Sequence, residues 1–467
     1  MDCPPCDLNQ QHFIDIPGVR LYSNGAKFEK GRYSLRFLEH FHHPEKYLRI
    51  FLKWGILGLI MGVLGGLLGA AFSRTLTFVT DLRLSHPWLL FLLPVGGLAT
   101  IGLYRMFKMS GNRGANEIIE AILRNKPVKA ATAPVIYLST AITHLVGGSA
   151  GREGAALQLG GSTASFLAQC LRLREEERTV LIMSGMSAVF AGLFGTPLTA
   201  TFFTMEFESV GTIFSPALLP CYLAAFTASS VAARFGVHAE VFPIDTSVPF
   251  TAQTNFYILI LSVGISLVGI AMCYLFHEAE GLARKKIPNT WLRIAAGGLL
   301  LLVMTALVGD QRYNGAGMDM AMQALEGHAN GYDFALKLVF TAITLATGFK
   351  GGEIVPTFCI GATFGCAVGN LLGMDAGFAA ALGLVGLFCC VTNSPISAIL
   401  LSVEMFGSAN LSTFAFVCVI VFVLSGNWGL YSSQIIQFSK ARLVRKEHND
   451  MVIADSKSEC AGNAPDK

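Results

Sequence analysis

Shifted by 200 residues, the chain lies on itself: Gly151 falls on Gly351, Glu153 on Glu353 and Gly161 on Gly361, inside GGSAGREGAALQLGG (147–161) and GFKGGEIVPTFCIG (348–361). A second pair follows in the same order at nearly the same spacing. GTPLTATFFTMEF (195–207) lies on NSPISAILLSVEM (393–405), which sets Pro197 on Pro395 and Glu206 on Glu404. An internal duplication accounts for both. Matching apolar segments interrupted by Gly or Pro in two halves of a chain point to a transporter's binding site. The halves run over 47–232 and 252–437, between an amino-terminal segment, 1–46, and a tail, 438–467.

Composition says where such a chain resides. Of the 467 residues 53% are hydrophobic and 14% charged, with 49 glycines, far more apolar than a soluble protein of this size. An integral membrane protein is expected, in contact with lipid. The charge collects in the ends and loops, so the net charge of +3 reflects loop placement and no nucleic-acid partner is expected. No apolar run precedes Tyr47, so no cleavable signal is expected. Of eleven cysteines, Cys221, Cys273, Cys359, Cys366, Cys389, Cys390 and Cys418 lie in apolar segments as small hydrophobes. Cys3 and Cys6 form one CPPC, and His40, His42 and His43 stand just before the first apolar run. A single CxxC without a second ligand pair is weak grounds for a metal, so neither metal nor cofactor is expected.

Apolar runs follow one another from Tyr47 to Val79, to about Phe107, to Leu171, 180–205 and 215–231, then 256–276, 295–308, 334–348, 352–372, 378–390, 398–406 and 414–423. Several fall short of the roughly 20 residues that span a bilayer. Such helices are broken or re-entrant, and non-helical backbone at that depth survives only where it is buried or lines a cavity. The fold class expected is an all-α polytopic membrane protein of two inverted-topology repeats with broken and re-entrant helices. Gly65 and Gly69 allow close packing of the first helix. Basic residues at Lys46, Arg49, Arg105, Lys108, Arg172, Arg174, Arg284, Lys285, Lys286 and Lys440, against acidic stretches near Glu240 and Asp319, place both termini in the cytoplasm of an inner or plasma membrane.

Three segments could aim helix N-termini at one point: 112–116, with Asn112 or Asn116 as cap, 151–155 and 351–355. Unpaired N–H groups and the positive dipole end of each make a neutral cradle for a small anion, one that holds without the grip of a full cation. An ionisable residue at this depth marks an ion or proton path. As a carboxylate Glu153 would compete for the cradle, and once protonated it could swing away. Arg152 anchors structure or guides anions at the mouth, and Glu353 is a second titrating site or a charge tied to Lys350. Glu206 and Glu404 are helix-end caps or steps in a proton route. GGSAG (147–151) also fits G-x-S-x-G, but a hydrolase elbow needs a strand before it and a placed His and acid, whereas the flanks read as membrane helix and the nearest histidine is His144.

GREGAALQLGG and GGEIVP, with the late NWGLYSSQ (427–434), resemble motifs of the CLC family of chloride channels and proton-coupled anion exchangers, over about Tyr47 to Gln437. The resemblance implies a homodimer with one pore per subunit and Glu153 as gate and proton carrier. It also implies an anion held by the amides of Arg152, Glu153, Gly154, Ala155, Glu353, Ile354 and Val355 and by the hydroxyl of Tyr431. Some positions depart from the family pattern. Ala155 stands for its proline, Ile354 for its phenylalanine, Arg113 or Ala115 for its inner-gate serine and Phe207 for its internal proton-relay glutamate. The last three are similar to the fluoride-exporting branch, where a threonine would be expected at Val355. Cytoplasmic regulatory domains, common in eukaryotic members of that family, are not expected, since only about 30 residues follow Gln437. The expectation is a halide transporter and no enzyme, chloride by family default and fluoride as alternative, exchanging its anion for protons or passing it as a channel.

Overall fold

The structure is a computed structural model and describes residues 44–109, 114–242, 244, 251–437 and 440. Cys3, Cys6, the histidines at 40, 42 and 43, Asn112 and Arg113 lie outside the described residues. The chain divides into two units, 1–52 and 53–467. In the first, the described residues open helix α1 (Pro44–Ser85) and leave Tyr47, Leu48, Ile50 and Phe51 exposed. Everything below belongs to the second.

Helices dominate it. After the rest of α1 come α2 (Leu93–Met106), α3 (Ala115–Leu123), α4 (Thr132–Leu145), α5 (Glu153–Cys170), α6 (Glu175–Phe194), α7 (Pro197–Glu206) and α8 (Leu218–Arg234). Then follow α9 (Ala252–Lys286), α10 (Thr290–Val308), α11 (Met318–Leu325), α12 (Asp333–Thr347), α13 (Ile354–Leu372), α14 (Ala376–Thr392), α15 (Pro395–Phe406) and α16 (Leu411–Leu424). Among the described residues seven stretches have the length and apolar composition to cross a membrane, while α14, α15 and α16 are shorter. Two elements outrun their apolar signal: α1 continues through the polar stretch 81–85, and α9 carries Arg284, Lys285 and Lys286 in its last turn. Basic ends of this kind suit the negative end of the helix dipole.

Small residues set the packing. A Cβ on Gly65 would lie 2.4 Å from Ala188 Cβ, and one on Gly69 3.0 Å from the backbone of Gly192, so α1 meets α6 at backbone distance, as the glycine spacing predicts. The duplication repeats the device. Gly160 of α5 presses on Gly185 of α6, and Gly361 of α13 on Gly383 of α14, with a Cβ on Gly160 or Gly361 falling 2.1 or 2.4 Å from the opposing carbonyl oxygen. Side chains of α6 and α14 are buried almost throughout, which marks these pairs as the interior of the molecule.

The short helices α7 and α15 begin alike, each with proline in its first turn. Glu404 Oε1 accepts from Leu198 N at 2.7 Å, and its Oε2 accepts from Thr199 N at 2.8 Å and Thr199 Oγ1 at 2.6 Å. Glu206 does the same for the other helix, accepting from Ile396 N at 3.2 Å, Ser397 N at 2.9 Å and Ser397 Oγ. In α7, N–H groups with no intrahelical partner are thereby satisfied by the duplicated helix's glutamate, and α15 is served in return.

Two further contacts position the site. A parallel pair of two-residue strands, β1 (Ser209–Val210) and β2 (Ile435–Ile436), brings the chain after α16 beside the end of α7 and fixes Tyr431 there. The segment after α8 runs along the end of α15, with Phe242 N donating to Met405 O at 2.7 Å and Ile244 N to Phe406 O at 3.0 Å. Gly195, at φ +70, lets it pass, since a Cβ there would lie 2.7 Å from Ala239.

Candidate functional site

The loops before α5 and α13 are joined. Gly151 N donates to Gly352 O at 2.7 Å and Gly352 N to Gly151 O at 2.8 Å. Only glycine permits this approach: a Cβ on Gly352 would fall 2.6 Å from Gly154 N and 2.8 Å from Glu153 N, and one on Gly351 2.5 Å from Ala150 Cβ. Two helices therefore start from neighbouring points, and their first N–H groups converge on one place.

Glu153 fills that place. Its carboxylate is fully buried, and Oε2 accepts from Arg152 N and Val355 N, both at 3.1 Å, one donor from each duplicated motif. Oε1 has no partner. The carboxylate thus rests on main-chain amides of two helix starts, positions that favour negative charge. The Arg152 side chain turns elsewhere: Nη2 pairs with Glu240 Oε1 at 3.0 Å, and the guanidinium lies 5.1 Å from the centre of the Phe194 ring.

Beyond Glu153 lies a cavity of about 320 Å³ whose lining includes Asn116, Gly154, Gln158, Lys350, Glu353 and Tyr431. Buried polar atoms on this lining without a partner among the described residues include Glu353 Oε2, Tyr431 Oη and Gln158 Oε1. Buried polar groups are nearly always hydrogen-bonded, so such orphans around one polar cavity indicate that it holds water or ions. Gln158 donates through Nε2 to Gly154 O at 2.9 Å, which leaves its oxygen for the cavity. Among the described residues no ion pair joins Glu353 to Lys350, whose ammonium instead sits 4.8 Å from the Tyr104 ring centre. Phe207 is fully buried with its ring edge-on to Tyr431, centroids 4.8 Å apart, so a phenyl group backs the tyrosine where the relay glutamate was looked for.

The sequence-derived residues divide accordingly. Glu353, Tyr431, Gly154 and Asn116 share the cavity; Arg152 and Val355 hold Glu153 through their amides; Ala155 and Ile354 are fully buried in the first turns of α5 and α13. Asn116 is not a helix cap. Gly114 takes the N-cap position of α3, and Asn116, inside the first turn, accepts from Ser433 N at 3.0 Å and so ties α3 to the Tyr431 segment. Of the alternatives for the inner-gate serine, Ala115 lies at the cavity wall.

Ser149 sits in a different setting from a hydrolase elbow. Helix α4, not a strand, precedes it, and His144 Nε2 contacts Gly151 O at 3.3 Å. The fully buried Lys337 donates from Nζ to Ser149 Oγ at 3.0 Å, Gly315 O at 2.7 Å and Tyr313 O at 3.1 Å. Lys337, Gln158 and Glu240 escaped sequence reasoning. A lone amide one turn into an apolar helix and a lone lysine in the apolar run of α12 were the available signals. Glu240 entered only as one charge of an acidic stretch, with nothing to link it to Arg152.

Comparison with known proteins agrees with this architecture. The model of the family described as voltage gated chloride channel matches residues 96–425. A chloride/fluoride channel protein of Pseudomonas syringae pv. tomato is 34% identical over 86% of this chain and 91% of its own. An H(+)/Cl(-) exchange transporter, ClcA, of Yersinia pestis is 24% identical over 75% and 79%. Among solved structures, a CLC-type fluoride/proton antiporter superposes with TM-score 0.80 at 33% identity, covering 82% of this chain and 98% of its own. A slow cyanobacterial Cl-/H+ antiporter shares the fold at TM-score 0.68 and 18% identity, over 80% and 94%. The fold is that of a membrane anion transporter built from inverted repeats. The chain belongs to the CLC (voltage gated chloride channel) family.

Proposed function

We propose that this protein exchanges fluoride for protons across the membrane, with Glu153 as both gate and proton carrier. The observation that carries this reading is the seat of the Glu153 carboxylate on the amides of Arg152 and Val355, adjoining a cavity that contains Glu353 and Tyr431. When Glu153 is ionised it fills the anion's place. When protonated it loses most of its attraction for the N–H donors and leaves, and an anion takes the amides of residues 152–155 and 353–355 with the Tyr431 hydroxyl. Occupancy by one or the other couples the two fluxes. Glu353, with an unpartnered oxygen in the cavity, is the second titrating group, on the side where Phe207 offers no carboxylate.

Fluoride is preferred over chloride because the likeness at 33–34% identity is to proteins described as a chloride/fluoride channel and a fluoride/proton antiporter, against 24% or less for the chloride exchangers. Chloride exchange is the second reading, favoured by Val355 at a position where the fluoride branch is expected to carry threonine. The protein acts as a homodimer, each subunit built of the repeats 47–232 and 252–437, in an inner or plasma membrane, with both termini cytoplasmic. Protein reconstituted in liposomes tests the proposal. An imposed fluoride gradient should drive protons uphill, and a chloride gradient should do so far less. The reverse order would establish the chloride reading, and anion flux without proton movement a channel.

A further inference from the structure

Arg152 adds a full cation beside the amides that seat Glu153. Its backbone N–H supports that carboxylate, so its guanidinium, though turned to Glu240 and Phe194, stands within one side chain's reach of the seat. A cation left free there would grip an arriving halide and slow its release, which defeats a neutral cradle. Glu240 prevents this. Its Oε1 pairs with Arg152 Nη2 at 3.0 Å, while the Phe194 ring covers the guanidinium from another side at 5.1 Å. The ion pair is partly shielded, with side-chain exposures of 17% for Arg152 and 30% for Glu240. The second oxygen, Oε2, is buried without a partner among the described residues, beside a small apolar cavity lined by Phe190, Phe194 and Phe358.

The carboxylate is also built in place. It comes from outside both glycine motifs, on the segment that follows α8, and two main-chain hydrogen bonds to Met405 and Phe406 hold that segment against the end of α15. Gly195 gives it clearance. We infer that Glu240 is a positioning residue for anion access: it holds and neutralises Arg152, and so sets the affinity of the mouth on the Arg152 side. The inference rests on the transport reading above and adds a residue to it.

The two members of the pair make opposite predictions, which separates electrostatic control from a structural role. Glu240→Gln frees the arginine, so the apparent KM for fluoride or chloride added on that side falls and the maximal rate falls with it. Arg152→Gln leaves a bare carboxylate, and KM rises. Each shift is roughly three- to tenfold, the scale of one charge a few ångströms away in a partly solvated mouth. The double variant Arg152→Gln/Glu240→Gln carries no charge and should return KM to within about twofold of wild type, as a compensating pair does. Glu240→Asp keeps the charge and should lie between wild type and Glu240→Gln.

Initial rates in liposomes against anion concentration read all four. Shifts of the same sign in both single variants, no shift in either, or a double variant no better than the worse single variant would overturn the inference. If wild-type protein moves neither anion, the transport reading fails separately. Calorimetric titration of fluoride and chloride into the detergent-purified protein then decides the pair, with Glu240→Gln expected to bind more tightly and Arg152→Gln more weakly, and any other order overturning it.

Discussion

Glu206 and Glu404 stabilise each other's helices. Glu206, the last residue of α7, holds the first turn of α15, and Glu404, near the end of α15, holds the first turn of α7. The arrangement is what an inverted duplication produces when one helix end faces the start of its copy. Each carboxylate takes donors from two backbone amides and one hydroxyl, so alanine at either position leaves buried donors without a partner. We expect Glu206→Ala and Glu404→Ala each to lower stability by about 1–3 kcal/mol, seen as an earlier thermal transition in detergent. Proton coupling per anion moved should stay at the wild-type ratio. If Glu206→Ala instead lost coupling with an unchanged melting temperature, Glu206 would be a step in a proton route.

Glu153→Gln keeps the side chain's shape and removes its charge and its titration. The amides of Arg152 and Val355 then lose a charged occupant, and an anion meets a neutral group in its place. Proton movement should fall to background while anion flux continues, insensitive to pH. Simultaneous recording of anion efflux and internal pH from liposomes gives both quantities. Coupling that survived the substitution would remove Glu153 from the role of proton carrier.

The sequence made the duplication legible because glycine and proline leave chemical marks that survive divergence. Gly151 and Gly351, Pro197 and Pro395, and Glu206 and Glu404 could be paired by spacing alone, and with them the inverted fold and the convergence of α5 and α13. Register was less legible. The bridge joins Gly151 to Gly352 and not to its counterpart Gly351, a one-residue offset that depends on how two loops meet in space. Helix limits in α1 and α9 were missed because polar residues end an apolar signal but not a helix. Glu240 reaches Arg152 from 88 positions away, through a fold that no local pattern encodes. Residue type points to Asn112 or Asn116 as the cap, whereas Gly114 takes that position and leaves Asn116 to bond Ser433.

Substituting the glycines that join helices should cost far more than the residue's own helix preference. Alanine is worth up to about 1 kcal/mol over glycine in an exposed helix, so Gly281→Ala in α9, with nothing within 4 Å of the added carbon, should raise stability by some of that amount. At Gly160 and Gly361 the same methyl group meets a carbonyl oxygen at 2.1 and 2.4 Å, and the backbones must part. Both variants should lower stability by roughly 1–3 kcal/mol or more, on the scale of core overpacking. Melting in detergent compares the three. Equal effects at 160, 281 and 361 would mean that the close helix approaches do not bear on stability.

Tyr431 offers a hydroxyl that none of the described residues uses. Its oxygen is buried and unpartnered, while the ring is held edge-on by Phe207 and the segment by the β1–β2 pair and by Ser433 on Asn116. Those contacts belong to the ring and the backbone, so Tyr431→Phe keeps them all and removes only the O–H. If that group serves an ion in the cavity, the phenylalanine variant folds with stability within about 0.5 kcal/mol of wild type, and its apparent KM for anion rises roughly ten- to a hundredfold, the worth of one hydrogen bond to a charged group. The Glu153 gate is untouched, so the ratio of protons to anions changes less than the affinity. An unchanged KM together with a clear loss of stability would assign the hydroxyl to the protein's own packing, by way of a bound water, and remove it from the anion's path.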